Sequence, residues 1–143
     1  MAVVLTLSNH YKYQKAKKLI DLSADTLVII LMKTTFAFDK DADATLSDVT
    51  ADQIATGYGY TQDTKTLDNK VLTEDDTGDR AIMTCDTVSW TAATGSIAAT
   101  GSAIIYDDTT SDDTVIGCID FGADYTTPDG FSFPIEGITI SET

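Results

Sequence analysis

The sequence has few of the residues from which most catalytic and metal sites are built. It contains one histidine, His10, and two cysteines, Cys85 and Cys118, in 143 residues. Two thiols so far apart fit neither a zinc-ligand spacing nor a disulfide framework, so we expect two buried free thiols. His10 has no serine or cysteine near it in a nucleophile pattern, and we expect it at the surface. The sequence therefore predicts a protein that is not an enzyme and has no cofactor.

Basic residues are also scarce, and none follows Arg80 in a chain whose net charge is −14. Six of the nine lie in the first forty positions: Lys12, Lys15, Lys17, Lys18, Lys33 and Lys40. A protein that binds a phosphate backbone needs a basic footprint, so we expect no nucleic-acid partner. This distribution favours binding or assembly, with an N-terminal part that docks and a later part that presents acidic loops.

Long apolar runs are absent as well. The longest, residues 27–32, is too short to cross a bilayer, so we expect no membrane partner. No signal-peptide pattern opens the sequence, which predicts a protein made and kept in a cytoplasm. Length and 43% hydrophobic composition suit one domain. We divide it into a docking part, residues 1–56, and a β-rich part, residues 57–143.

The docking part begins with alternating apolar residues that predict a first strand: Val3, Leu5 and Leu7. Ser8 and Asn9 then offer an N-cap, and residues 11–22 follow as an amphipathic helix. We expect this helix to pack on the core through Tyr13, Leu19 and Ile20, with lysines on another face.

Two further elements complete the docking part. The continuous apolar run over residues 25–32 predicts a central strand that is covered on both faces. The spacing of Thr50 and Gln53 matches a capping box, which predicts a short helix through Ile54.

The β-rich part contains short apolar runs separated by Asp, Thr and Gly turns. The apolar alternation changes phase near Asp86, which predicts a bend or bulge. Pro134 and Gly137 mark the last segment as an edge or bulged strand. The fold class that we predict is mainly β, an antiparallel β-sandwich or partly open barrel with one N-terminal amphipathic helix.

Asp39, Asp41 and Asp43 form the sharpest metal candidate in the sequence. Their alternate spacing resembles the opening of a calcium-binding loop, in which carboxylates converge on one cation. Ala44, however, stands where that loop needs glycine, and Thr50 where it needs a bidentate glutamate. We therefore favour a solvated loop with a helix-capping aspartate and no bound metal.

The candidate partner-binding residues lie near the two ends of the chain, in segments that resemble exposed strand edges. They are Val3, Leu5, Leu7, Phe131, Phe133 and Ile135. We expect them to mediate a homo-oligomer, a dimer or a trimer. The acidic segments, residues 74–79 and 107–113, are expected at solvated hairpin tips.

Read as a whole, the sequence resembles a group of small structural proteins encoded by tailed bacteriophages. The resemblance rests on Trp90 and on residues 9–12, 25–32, 44–49, 57–61, 99–106 and 117–122. It implies a virion component, commonly a head decoration or cement protein, with no enzymatic activity.

The function expected from this resemblance is stabilisation of the head shell, with the major capsid protein as partner. The protein would then be synthesised in the host cytoplasm and lie on the outer surface of the capsid. The alternative is a tail, neck or fibre-base structural protein that binds a receptor or carbohydrate through aromatic loops.

Overall fold

The computed structural model describes residue 3 and residues 5–142. They form an antiparallel, mainly β fold, 45% strand and 11% helix, which confirms the predicted fold class. Two α-helices and one 3-10 helix accompany nine strands within these residues. The helices are α1 (Asn9–Ala16), α2 (Leu46–Val49) and the 3-10 helix Thr50–Asp52. The strands are β1 (Leu5–Leu7), β2 (Leu27–Lys33), β3 (Val71–Asp75), β4 (Arg80–Thr84), β5 (Val88–Thr91), β6 (Ile97–Asp107), β7 (Thr114–Thr127), β8 (Ser132–Ile135) and β9 (Thr139–Glu142).

The strands form three antiparallel sheets. The largest has the order β1-β7-β6-β2, and the others have the orders β3-β4-β9 and β5-β8. The long hairpin of β6 and β7 forms the centre of the first sheet, so β2 lies at its edge and the predicted central position was wrong. Loop backbone covers the outer side of β2, because Ile29 N donates to Lys65 O at 2.9 Å and Ile54 N donates to Leu31 O at 3.0 Å.

The four-stranded sheet is covered on both faces. One face packs on the main core, to which the smaller sheets contribute Met83, Trp90, Ile135 and Ile140. The opposite face carries a smaller apolar cluster, formed by β2, β6 and β7 side chains with Val49 and the partly buried residues Phe36, Phe38 and Leu46. The apolar residues on both faces of β2 are therefore buried, as the continuous apolar run predicted.

The predicted break near Asp86 is confirmed. Here the chain leaves β4 in the three-stranded sheet and enters β5 in the two-stranded sheet. A second change of sheet separates β8 from β9 and contains Gly137, whose φ of +69° favours glycine. Pro134 lies in β8, an edge strand, where a missing backbone donor is tolerated.

The first helix is shorter than predicted and turns another face to the core. It ends at Ala16, and Lys18 adopts the left-handed region with a φ of +63°. Tyr11 and Gln14 are the buried residues, whereas Tyr13 is 58% exposed and Leu19 is 52% exposed. The predicted packing face was therefore wrong for Tyr13 and Leu19, whereas Ile20, which lies beyond the helix, is partly buried and packs against the main core as predicted.

The second helix begins earlier than predicted. Thr45 is its N-cap, and the carboxylate of Asp48 accepts a hydrogen bond from the Thr45 amide at 3.0 Å. The capping box thus involves Thr45 and Asp48, and Gln53 instead places its side chain in the core, where it donates to Tyr60 Oη at 2.8 Å.

Candidate docking surface

Helix α1 is fixed to the four-stranded sheet at its first turn. Ser8 Oγ accepts a hydrogen bond from Tyr11 N at 3.0 Å and donates to Val115 O at 2.5 Å. Ser8 N also donates to Ile116 O at 2.9 Å. Because Ser8 is fully buried, one residue caps the helix and joins it to β7.

A polar cluster joins the same helix to the β6–β7 hairpin. The carboxylate of Asp112 lies 2.8 Å from His10 Nε2 and 3.4 Å from Gln14 Nε2, and it accepts from Thr114 Oγ1 at 2.5 Å. Partial burial opposes ionisation of Asp112, but hydrogen bonds from Thr114 and His10 outweigh it and lower its pKa. His10 therefore has a structural partner, and helix and hairpin form one rigid support.

The outward side of α1 and the residues after it carry a concentration of positive charge. We call it the lysine surface, and it consists of Lys12, Tyr13, Lys15, Lys17, Lys18 and Leu19, all exposed. Lys17 Nζ lies 5.0 Å from the centroid of the Tyr13 ring, which holds that ammonium over an aromatic face. Exposed apolar and cationic groups therefore occupy the same small surface.

Two grooves border the lysine surface on either side of an ion pair between Lys15 and Glu142. The first, of about 440 Å³, is lined by Leu7, Lys12, Ala16 and Ser141 beside that pair. The second, of about 410 Å³, lies beside Lys18 and has an apolar lining of Ile20, Leu22, Leu72 and Ala81. Partial burial lowers the pKa of Lys15, because loss of solvent disfavours the charged ammonium.

The structure brings the candidate partner-binding residues of the sequence together only in part, because Val3 and Phe133 line one groove. Val3, Leu5 and Leu7 are partly buried and pack against the main core. Phe133 and Ile135 are 6% and 0% exposed, because their side chains pack in the core of this chain. Phe131, which is 66% exposed, is the C-terminal candidate that another molecule can reach.

The aspartates of the calcium candidate accept hydrogen bonds from the backbone of their own loop and from Asn9 of α1. Asp39 accepts from Asp41 N at 2.9 Å, and Asp43 accepts from Asp39 N at 2.8 Å. The carboxylate of Asp41 accepts from the Asn9 side-chain amide. In residue 3 and residues 5–142, no three His, Cys, Asp or Glu side chains are grouped to hold a metal ion.

Both acidic segments lie at hairpin tips, as the sequence predicts. In the β3–β4 tip, Asp75 accepts from Arg80 Nε at 2.8 Å and from Gly78 N at 3.1 Å. The β6–β7 tip is more firmly held, because Asp113 O accepts from Leu46 N at 3.0 Å, besides the bonds to Asp112.

Asp107 departs from the expectation of a solvated acidic tip. It is 0% exposed, and one of its carboxylate oxygens has no hydrogen-bond partner among the described residues. Burial, reinforced by the neighbouring Asp25 carboxyl, raises the pKa of Asp107 to about 7. Tyr11 Oη lies nearby, is also buried without a partner, and has its pKa raised by burial and by Asp107.

Most aromatic residues lie in the core and leave a small exposed patch. Trp90 and Phe133 are buried with ring centroids 6.4 Å apart, whereas Tyr58 is 56% exposed. Tyr58 O accepts from Ala93 N at 3.1 Å, and Phe131 O accepts from Ala92 N at 2.8 Å, so Tyr58 and Phe131 flank one turn.

An open groove of about 600 Å³ lies on the opposite face of the four-stranded sheet. Phe36 and Phe38 form its apolar side, and Asp120 and Asp124 form its acidic side. Cys118 lies at its base, where burial raises the thiol pKa to about 12. The thiol is therefore protonated at neutral pH and gives this groove no nucleophile.

Comparison with known proteins identifies no relative. No protein-family model, no curated protein and no solved structure matches the chain. No helix within residues 5–142 is long and apolar enough to cross a membrane.

The lysines of the docking surface were visible in the sequence, but the exposure of Tyr13 and Leu19 depends on how α1 packs.

Proposed function

We propose that this protein is a non-enzymatic decoration protein of a tailed-phage head, which binds the major capsid protein through the lysine surface. The observation that carries the proposal is the segregation of charge. Lys12, Lys17 and Lys18 lie together on or just after α1, beside Lys15, which Glu142 pairs, in a protein of net charge −14. An acidic or polar–apolar partner surface complements such a patch.

Rigid support of this patch favours a docking role. The bonds of Ser8, His10 and Gln14 hold α1 to β7 and to the β6–β7 hairpin before a partner arrives. A surface that is already ordered loses less conformational entropy when it binds. The exposed Tyr13 ring adds an amphipathic contact of the kind that is enriched in interfaces.

In this function the β3–β4 tip would face solvent on the outer surface of the capsid, whereas the β6–β7 tip, which Asp112 joins to α1, would lie beside the docking surface. Each copy needs only a modest affinity for the shell, because a shell presents many equivalent sites. The small contact energies of many bound copies then add together to stabilise it. At an ionic strength of about 0.15 M the Debye length is about 8 Å, so repulsion between acidic neighbours is mostly screened.

A charge-reversal experiment tests the proposal. Heads lacking the protein are incubated with wild-type protein or with Lys12→Glu/Lys18→Glu, and bound protein is measured after sedimentation. The matched control Lys33→Glu/Lys40→Glu reverses two lysines outside the lysine surface and changes the net charge equally. We expect the first variant to bind at least tenfold more weakly and the control to bind like wild type.

Equal binding by both variants would refute docking through the lysine surface. Copy number supplies a second test, since head decoration predicts hundreds of copies per virion and a tail part about a dozen, as symmetry dictates. A low copy number would refute the decoration function.

The second candidate function is a tail, neck or fibre-base protein that binds a receptor or carbohydrate. The exposed pair Tyr58 and Phe131 favours it, because aromatic faces are common in such contacts. Tyr58→Ala/Phe131→Ala would then abolish binding to host cells and leave binding to heads unchanged.

A further inference from the structure

Strand β3 presents an outer edge that has no backbone hydrogen-bond partner within residue 3 and residues 5–142. Its inner edge pairs with β4 over Val71–Asp75, and no backbone hydrogen bond joins its outer edge to another segment. Val71 is 53% exposed and Leu72 is 46% exposed, on opposite faces of the strand. A strand with an open edge and exposed apolar side chains is a template for pairing with another strand.

β3 differs from the other edge strands of the described residues, β1, β2, β5, β8 and β9, because it carries exposed large apolar side chains and they do not. Loop backbone bonds cover the outer side of β2, through Ile29, Leu67 and Ile54. β1 has three residues, and β8 contains Pro134, and both features limit pairing. β3 contains neither a proline nor a bulge.

The charge pattern around β3 is complementary to itself. Lys70 and Glu74 lie two residues before and two residues after Leu72. In an antiparallel pair of identical strands related by a two-fold axis at Leu72, Leu72 faces Leu72 of the copy. Each Lys70 then faces the copy's Glu74, on the same side of the sheet as the leucines.

Neighbouring registers lack this complementarity. An axis at Thr73 sets Leu72 opposite Glu74, and an axis at Glu74 sets two glutamates opposite each other. Opposite charges stabilise a cross-strand pair and like charges destabilise it, so Leu72 is the favoured centre. Asp75 adds little repulsion, because Arg80 already pairs with it at 2.8 Å within the same hairpin.

We infer that β3 is the homodimerisation edge of this protein, where two copies pair antiparallel about Leu72 into one six-stranded sheet. The groove next to Leu72, lined by Ile20, Leu22 and Ala81, provides an apolar surface on the side where the copy's leucine arrives. This inference concerns contact between copies and does not rest on docking through the lysine surface.

The contact is short, which sets the expected affinity. Five paired residues per copy bury less than the roughly 1,200 Å² at which stable interfaces begin, so we expect a weak, concentration-dependent dimer. Sedimentation equilibrium of the purified full chain, from roughly 10 µM to 1 mM at about 0.15 M salt, covers this range and screens the repulsion of the net charges.

A charge-swap series tests the register. Lys70→Glu places two glutamate pairs across the axis and Glu74→Lys places two lysine pairs, so each raises the dimer dissociation constant at least tenfold. The double variant Lys70→Glu/Glu74→Lys restores both opposite pairs and returns the constant to within about threefold of wild type. Lys33→Glu, the matched control, leaves it unchanged.

Three results would each overturn the inference. They are a wild-type monomer throughout the concentration range, single variants that dimerise like wild type, and a double variant without rescue. Leu72→Glu, which places a charge on an exposed apolar position at the axis, adds an independent arm and should give a monomer. These measurements use isolated protein, so their failure is separate from failure of particle binding.

Discussion

Substitution of Asp107 by asparagine should stabilise the protein at alkaline pH and remove part of its pH dependence. Asp107 is fully buried at the end of β6, beside the carboxyl of Asp25 and the hydroxyl of Tyr11. Its pKa is about 7 in the folded protein and about 3.9 in an unfolded chain. Because this pKa is raised on folding, the contribution of protonated Asp107 to the stability of the folded state is complete below about pH 4. It is lost as the pH rises through 7.

The size of the effect follows from these two pKa values. Complete ionisation disfavours the folded state by about 4 kcal/mol at most, and more than half of this loss falls between pH 5 and pH 8. Asparagine has the same shape and cannot ionise, and its side-chain oxygen can keep the hydrogen bond from Thr109 N, which is 2.9 Å in the native protein. Asp107→Asn should therefore gain stability relative to wild type as the pH rises.

Urea unfolding from pH 5 to pH 8 at constant ionic strength measures this difference. Subtraction of the wild-type curve removes the contribution of the other carboxylates, and equal m values are required for the comparison. Asp108→Asn serves as the control, since Asp108 is exposed and one residue away. A stability difference between Asp107→Asn and wild type that stays constant with pH would refute the assigned protonation.

Three further predictions concern packing, thiol chemistry and backbone space. Leu19→Asp should change the free energy of unfolding by at most about 0.5 kcal/mol, because Leu19 is exposed. Leu27→Ala should lower the free energy of unfolding by about 2–5 kcal/mol, because Leu27 is fully buried. Chemical denaturation measures both changes. Cys118 is buried as expected, whereas Cys85 is only partly buried. Loss of solvent raises their thiol pKa values to about 12 and about 11, so both should react with a thiol reagent at pH 8 roughly a hundredfold more slowly in native than in unfolded protein; equal rates would contradict this loss of solvent. Gly59→Ala should lower the free energy of unfolding by roughly 2–5 kcal/mol, because the φ of Gly59 is +97° and the added Cβ would overlap a carbonyl oxygen of β5. An unchanged melting temperature would contradict this close approach of Gly59 to β5.

Features that depend on neighbours in sequence could be predicted from the sequence. The apolar run of β2 predicted burial on both faces, and the Asp-rich turns predicted the two hairpin tips. The phase change near Asp86 predicted the bend between β4 and β5. Each of these follows from side-chain alternation or turn chemistry over fewer than ten residues.

The orientation of α1 depended on contacts that lie far apart in the chain. An amphipathic pattern favoured Tyr13 and Leu19 as the buried face, but the bonds from Ser8 to β7 and from His10 to Asp112 turned Tyr11 inward instead. Those partners are separated by more than one hundred residues, so no local pattern contains them. These tertiary contacts therefore decide which side of α1 is exposed and forms the lysine surface.

Strand edges show the same division. The sequence of Val71–Asp75 indicates a strand, and its flanking charges are visible before any folding. Whether its edge is free depends on which strands lie beside it, and that was decided when β4 paired with β3 on one side and with β9 on the other. By itself the sequence therefore determined the mainly β class, the turns and the distribution of charge. Tertiary packing alone decided which faces and edges remain open, because exposure depends on all neighbours in space.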